Sequence, residues 1–273
     1  MKRLLIVALI CSYCLVSNAQ RGWEVGGWGG VSYYFGDLNT SLDLSKPGLA
    51  LGLIGRYNFN NRICLKFSAN YGSISANDAD SDNIYERARN LSFQSIVVDG
   101  TAQLEFNFLP YTHGSRDEFY TPYLFAGLSA FYFNPQTEYE GALVNLRDLG
   151  TEGQFRGEEY YSIQGALAYG GGFKIDLSYE WSINVEISGR RLFSDYLDDV
   201  SGTYADKDDL DAFRGADAVA LSDRSITIDG VNDTQIGQVG RQRGNSNNND
   251  SYVMMGIGLV YYFGDIRCPP YSR

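Results

Sequence analysis

From residue 23 onward the chain is patterned with period two. The clearest stretch is Ile96 to Phe108: Ile96, Val98, Gly100, Ala102, Leu104, Phe106 and Phe108 share one face. Val97, Asp99, Thr101, Gln103, Glu105 and Asn107 share the other. A helix would mix the two sets, whereas a strand separates them completely. Around 48–59, Leu49, Leu51, Leu53, Tyr57 and Phe59 oppose Ala50, Gly52, Arg56 and Asn58. Around 62–71, Ile63, Leu65, Phe67, Ala69 and Tyr71 oppose Arg62, Cys64, Lys66, Ser68 and Asn70. Around 181–193, Trp181, Ile183, Val185, Ile187 and Phe193 oppose Ser182, Asn184, Glu186, Ser188 and Arg190. Segments 23–35, 121–133, 162–178 and 251–263 complete a set of eight strands. Each exceeds the roughly 9–11 residues that a tilted strand needs to cross a bilayer.

Aromatics gather at the strand ends. Tyr33, Tyr34, Phe35, Phe131, Tyr132, Phe133, Tyr160, Tyr161 and Phe193 fall at one end. Tyr57, Phe59, Phe106, Phe108, Trp181, Tyr261, Tyr262 and Phe263 fall at the other. Two girdles around an apolar band are the interfacial signature of an outer-membrane barrel. The connections agree. Asn60-Asn61 and Tyr179-Glu180 are tight turns and Pro110–Glu118 is a modest one, while 37–47, 75–91, 134–160 and 195–250 are long. Short and long alternate, so eight strands place both termini and the short turns in the periplasm and the long loops outside. The pattern predicts an all-β chain: an eight-stranded antiparallel transmembrane β-barrel over 20–273. A secreted β-sandwich is the alternative.

The first residues set the compartment. Lys2 and Arg3 precede an apolar run from Leu4 to Val16, and Ser17-Asn18-Ala19 offers a small-residue cleavage site. This reads as a signal peptide over 1–19, its apolar run being too short for an anchor. Ile10 and Tyr13 before Cys11 and Cys14 argue against lipid attachment. Cys64 and Cys268 remain after cleavage; two unpaired thiols are the preferred reading, with a disulfide at the periplasmic rim of the barrel as the alternative.

Composition narrows the function. With 22 Lys+Arg against 33 Asp+Glu the formal charge is −11, and the mature chain reaches −13 once Lys2 and Arg3 are removed. Such a chain lacks the clustered cations that neutralise phosphates, which excludes nucleic acid as a partner. A single histidine, His113, argues against His-based metal sites and catalysis. Its position places it in a periplasmic turn, as a solvated residue, so no enzyme is expected and no cofactor. The non-lipid faces carry Glu24, Asp99, Glu105, Asp176 and Glu186 together with Arg56, Arg62, Lys66, Lys174 and Arg190. Acids and bases in equal number would neutralise one another within a barrel just wide enough to be filled by side chains. The outer loop 195–250 holds twelve Asp against five Lys+Arg. Asp195, Asp198, Asp199 and Asp206 could offer oxygens to calcium, but they lack the spacing of a calcium loop, and solvated or internally hydrogen-bonded acids are the preferred reading.

Several segments form an ordered set: Asn90-Leu-Ser-Phe93, Phe108-Leu-Pro-Tyr111, Thr121-Pro122-Tyr123, Phe133-Asn134-Pro135, Leu149-Gly-Thr-Glu152-Gly153, Gly170-Gly-Gly-Phe-Lys174, the stretch Asp195 to Tyr204, and Arg241-Gln-Arg-Gly244. In this set the chain resembles the PorG-type barrels of Bacteroidetes outer membranes, components of the type IX secretion system. The resemblance implies a non-enzymatic barrel that anchors a periplasmic ring, made of a lipoprotein and its partner, to the outer membrane. Ring contacts would then fall on the short turns and tail: Asn60, Asn61, Pro110, Tyr111, His113, Arg116, Glu180, Arg267 and Cys268. Without the resemblance, the long acidic loops favour a surface-exposed adhesin or binding barrel.

Overall fold

A computed structural model describes residues 22–229 and 232–264. The signal segment 1–19, Arg267 and Cys268 lie outside the described residues. Eight long strands alternate in direction: β1 (Gly22–Phe35), β2 (Gly48–Asn58), β3 (Ile63–Asn77), β4 (Ser92–Asn107), β5 (Tyr120–Tyr139), β7 (Ile163–Asp176), β8 (Trp181–Leu192) and β9 (Ser251–Phe263). A short β6 (Ala142–Asn145) folds back on the projecting end of β5. The sheet runs β4-β3-β2-β1-β9-β8-β7-β5 and closes through β4–β5 pairing, every neighbour antiparallel. The protein is therefore a closed eight-stranded barrel. Closure leaves the eight barrel strands without a free edge, the condition for a strand protein to reside in lipid.

The alternation read from the sequence is the one observed. On β4, Ile96, Val98, Leu104 and Phe106 point outward, while Val97, Asp99, Gln103, Glu105 and Asn107 are buried. An outward belt of Val25, Leu51, Leu53, Leu124, Leu128, Phe173, Ile187 and Ile257 encircles the barrel, each 46% exposed or more. Burial cannot account for these residues, because the barrel interior lies on their opposite side.

Several aromatics depart from the expected girdles. Tyr34, Phe131, Phe133 and Tyr262 are buried inside, and Tyr160 packs against the interior cluster. Consecutive aromatics on one strand must alternate faces, so only every second ring can reach lipid. Phe59, Phe106, Phe108, Trp181 and Phe263 remain as the girdle at the short-turn end, where exposed Trp23 joins them, with Tyr132, Tyr161 and Phe193 at the other.

The long connections are folded. The third and fourth are built on the β5–β6 hairpin and α2 (Leu146–Leu149), and on α3 (Lys207–Arg214) and α4 (Ala216–Ser222). The second carries α1 (Ile84–Arg89), which begins at Asn83, whose side chain caps Tyr85 N, and ends on left-handed Asn90. Among the described residues no helix is long and apolar enough to cross a membrane.

Candidate functional site

The interior has two halves. Toward the short turns it is a ladder of ion pairs. Glu24 meets Arg56 at 2.5 Å, and Arg56 Nε lies 2.8 Å from Glu105. Lys174 Nζ donates to the same Glu105 at 2.6 Å, and Lys66 pairs with Glu186. Higher up, Arg190 stands 3.2 Å from Asp99, which also accepts from Asn70 at 2.6 Å and from Tyr252 at 3.0 Å. Charges this deeply buried persist only when paired and hydrogen-bonded, and here each has a partner. Toward the long loops the interior becomes apolar: Tyr34, Phe93, Val97, Phe131, Phe133, Leu192 and Met254 form one cluster. The cavity bounded by Trp28, Asn70, Glu186, Arg190 and Met254 measures about 20 Å³, room for one or two waters.

The floor is made by the turn 108–119, and it corrects the reading of His113. This residue is not solvated: it is 4% exposed, with Nε2 3.1 Å from Glu24 and Nδ1 3.0 Å from Asp176. Its ring stacks on Tyr262 at 4.3 Å. Burial alone would lower its pKa, but the hydrogen bonds to Asp176 and Glu24 outweigh that and raise it to about 9. His113 is therefore the fifth interior cation. Arg62, expected inside, is instead exposed and donates to the Phe108 carbonyl at 2.7 Å. Tyr111 is also buried and hydrogen-bonds Asp176. Gly114 N donates to Asp176 at 3.1 Å with φ +76°, and a Cβ there would stand 2.1 Å from the Tyr179 ring. Only glycine suits that position.

The expected contact residues thus divide. Tyr111 and His113 face inward and offer a partner no side chain. Asn60, Asn61 and Pro110 are partly exposed, and Arg116 and Glu180 are exposed. Asn60 accepts from Arg62 N and Ile63 N at 2.8 Å, closing its own turn. The Asn61 carbonyl accepts from Tyr111 N at 3.1 Å, joining two turns. Cys64 is buried inside the barrel, 3.7 Å from Lys174 Nζ. Its proposed partner Cys268 lies outside the described residues.

At the other end all four long loops are knitted into a crown by two arginines. Arg89 holds Asp78 with two bonds of 2.7 Å and donates to the carbonyls of Asp37 and Arg243, each at 2.7 Å. Arg243 reaches Glu152 at 3.1 Å and the Asp199 carbonyl at 2.5 Å. Asp195, Asp198 and Asp199 are buried within the crown. Tyr34 OH bridges Asp198 at 2.5 Å and Asp250 at 2.9 Å. Burial, more than the repulsion of neighbouring carboxylates that adds to it, raises Asp198 and Asp250 well above the usual carboxylate range. Burial likewise brings Asp195 to about 7. Asp206 is exposed and caps α3 through Asp208 N and Asp209 N. Among the described residues no group of three acidic, His or Cys side chains stands at metal-binding geometry. Sequence reasoning missed Arg89, Glu152, Arg243 and Asp250. The one available signal was a few arginines set in an otherwise acidic crown.

The fold and interior define a closed small barrel with an apolar belt, filled from floor to crown. The chain belongs to the family described as domain of unknown function DUF6089, whose model matches residues 2–218. No curated protein matches it. Similar solved structures include the attachment invasion locus protein Ail of Yersinia pestis in complex with a heparin analogue, at 11% identity over 89% of this chain and 99% of that one, TM-score 0.42. Neisserial surface protein A is similar at 11% identity over 89% and 97%, TM-score 0.43. OprG of Pseudomonas aeruginosa is similar at 12% identity over 90% and 98%, TM-score 0.41. Likenesses this remote carry no argument about function, and the barrel is read from this chain's own strand pairing.

Proposed function

We propose that this protein is an outer-membrane barrel with a sealed lumen, acting as a non-enzymatic structural component of the type IX secretion machinery. In this reading the bilayer covers the apolar belt and the termini and short turns face the periplasm. The short-turn end anchors a ring formed by a lipoprotein and its partner. The observation that carries the reading is the pinned floor. By drawing Tyr111 and His113 inward, the barrel holds Asn60, Asn61, Pro110, Arg116 and Glu180 on one stiff surface. A stiff surface binds without an ordering cost, which suits an anchor. The choice of machine rests on the resemblance of the ordered motifs to PorG-type barrels.

The test compares culture medium from wild-type and in-frame deletion strains by proteomics. Loss of many secreted proteins, with their accumulation in the periplasm, is expected. An unchanged secretome would sink the secretion role. The surface is then examined with Arg116→Glu and Glu180→Lys, which leave the floor's inner contacts intact and should reduce ring co-purification.

A second reading, a surface binding barrel, is favoured by one observation: the crown is a folded body knitted from four loops.

A further inference from the structure

The crown carries a cleft that neither the sealed lumen nor the floor uses. One wall is the segment 152–155 of the third loop, and the other is α3. Arg214 rivets them together, donating to the Gln154 carbonyl at 2.7 Å and the Asp148 carbonyl at 3.1 Å and pairing with Glu159 at 2.7 Å. At Gly153 a Cβ would stand 3.0 Å from Ala205, so the walls are close by construction. At the mouth, Phe155 and Phe213 meet edge to face at 5.4 Å, yet they stay 55% and 54% exposed. Leu210 from the same helix is 3% exposed and forms the base.

The cleft measures about 190 Å³, below the roughly 300–1,000 Å³ of small-molecule sites. It has room for one large apolar side chain, the form in which a polypeptide partner inserts an anchor. The charge around it is one-sided. Asp208, Asp209 and Asp211 are exposed on α3, and among the described residues none has an ion-pair partner. The helix's own cations are engaged elsewhere, Lys207 with Asp223 at 2.6 Å and Arg214 with Glu159. Arg156, exposed next to Phe155, is flanked by exposed Glu158.

We propose that this cleft docks a Lys/Arg-rich polypeptide segment that inserts one aromatic or large aliphatic side chain beside Phe155 and Phe213. The aromatic pair supplies the anchor contact and the α3 carboxylates draw in the flanking cations. The secretion role is not required for this proposal, because the cleft is assayed on the purified chain alone.

The experiment uses the full mature chain refolded in detergent, its barrel checked by heat-modifiable gel mobility. The probe is a fluorescein-labelled heptapeptide of six lysines around a central phenylalanine, with a central-serine peptide and a six-glutamate peptide as comparisons. The phenylalanine peptide is expected to bind with anisotropy that weakens as salt rises. Phe213→Ala should weaken binding by about tenfold or more. The triple change Asp208→Asn, Asp209→Asn and Asp211→Asn should weaken it and flatten the salt dependence. Equal binding of the phenylalanine and serine peptides, or wild-type affinity in either folded variant, would overturn the proposal. So would concentration-dependent self-association abolished by Phe213→Ala, which would assign the cleft to a second copy of the chain.

Discussion

His113 shows how much one side chain decides. Its imidazole stands between Glu24 and Asp176 and over Tyr262, closing the barrel floor. With a folded pKa of about 9 against 6.5, the folded state holds the proton more tightly than the unfolded chain. The stabilisation is therefore complete below pH 6.5 and is lost as pH rises through about 9. The thermal midpoint of the wild type in detergent should fall between pH 7 and pH 10. In His113→Gln the fall should be much shallower, and parallel profiles would show that the floor does not depend on the imidazolium. Glu105 is a second such residue, facing Arg56 at 2.8 Å, Lys174 at 2.6 Å and Lys66 at 3.7 Å. Glu105→Gln leaves buried cations undercompensated and should cost about 3–5 kcal/mol, read as a lower urea midpoint.

At the scale of elements, the floor turn and the crown are pinned by different chemistry. Charge pairs with the barrel wall hold the floor, whereas the crown buries acids that outnumber its two tying arginines. Asp195 rises to about 7 and Asp199 to about 6, in both cases first through burial. These folded pKa values lie above the unfolded value near 4, so the folded crown binds more protons across that window. Its stability should decline as pH rises from 4 to 7 and recover on acidification. Amide hydrogen exchange in 195–201 and 243–250, corrected for intrinsic rates, should be slower at pH 5 than at pH 7.5. Asp195→Asn should reduce the difference. A crown equally protected at both values would rule out this coupling.

For the whole molecule, the ion-pair ladder fills one half of the barrel interior and the apolar cluster the other. Reconstituted protein should show flat single-channel recordings. Phe133→Ala should lower stability by about 3–5 kcal/mol through the cavity it leaves while conductance stays flat, because the charged half still blocks the lumen. Steady conductance steps in the wild type would contradict the sealed interior.

The eight strands, their inward and outward faces, and the alternation of short and long connections were legible because a strand's side-chain period is local. Glu24, Asp99, Glu105, Glu186, Arg56, Lys66, Lys174 and Arg190 were all placed inside by parity alone. Arg62 and His113 were misplaced for one shared reason: both lie in turns, where parity ends and tertiary contacts choose the direction. Arg62 turned to a neighbouring carbonyl, and His113 turned to two carboxylates 89 and 63 residues away along the chain. The aromatic runs show the same limit, since Phe131 and Phe133 carry no mark that separates lipid from interior until the barrel closes. Asp195, Asp198 and Asp199 read as loop acids and became buried ones, because four loops brought together by Arg89 and Arg243 exclude water from the space between them. Local periodicity thus determined the barrel wall. The closing of floor and crown was decided only in three dimensions, where long-range ion pairs choose which turn residues leave water.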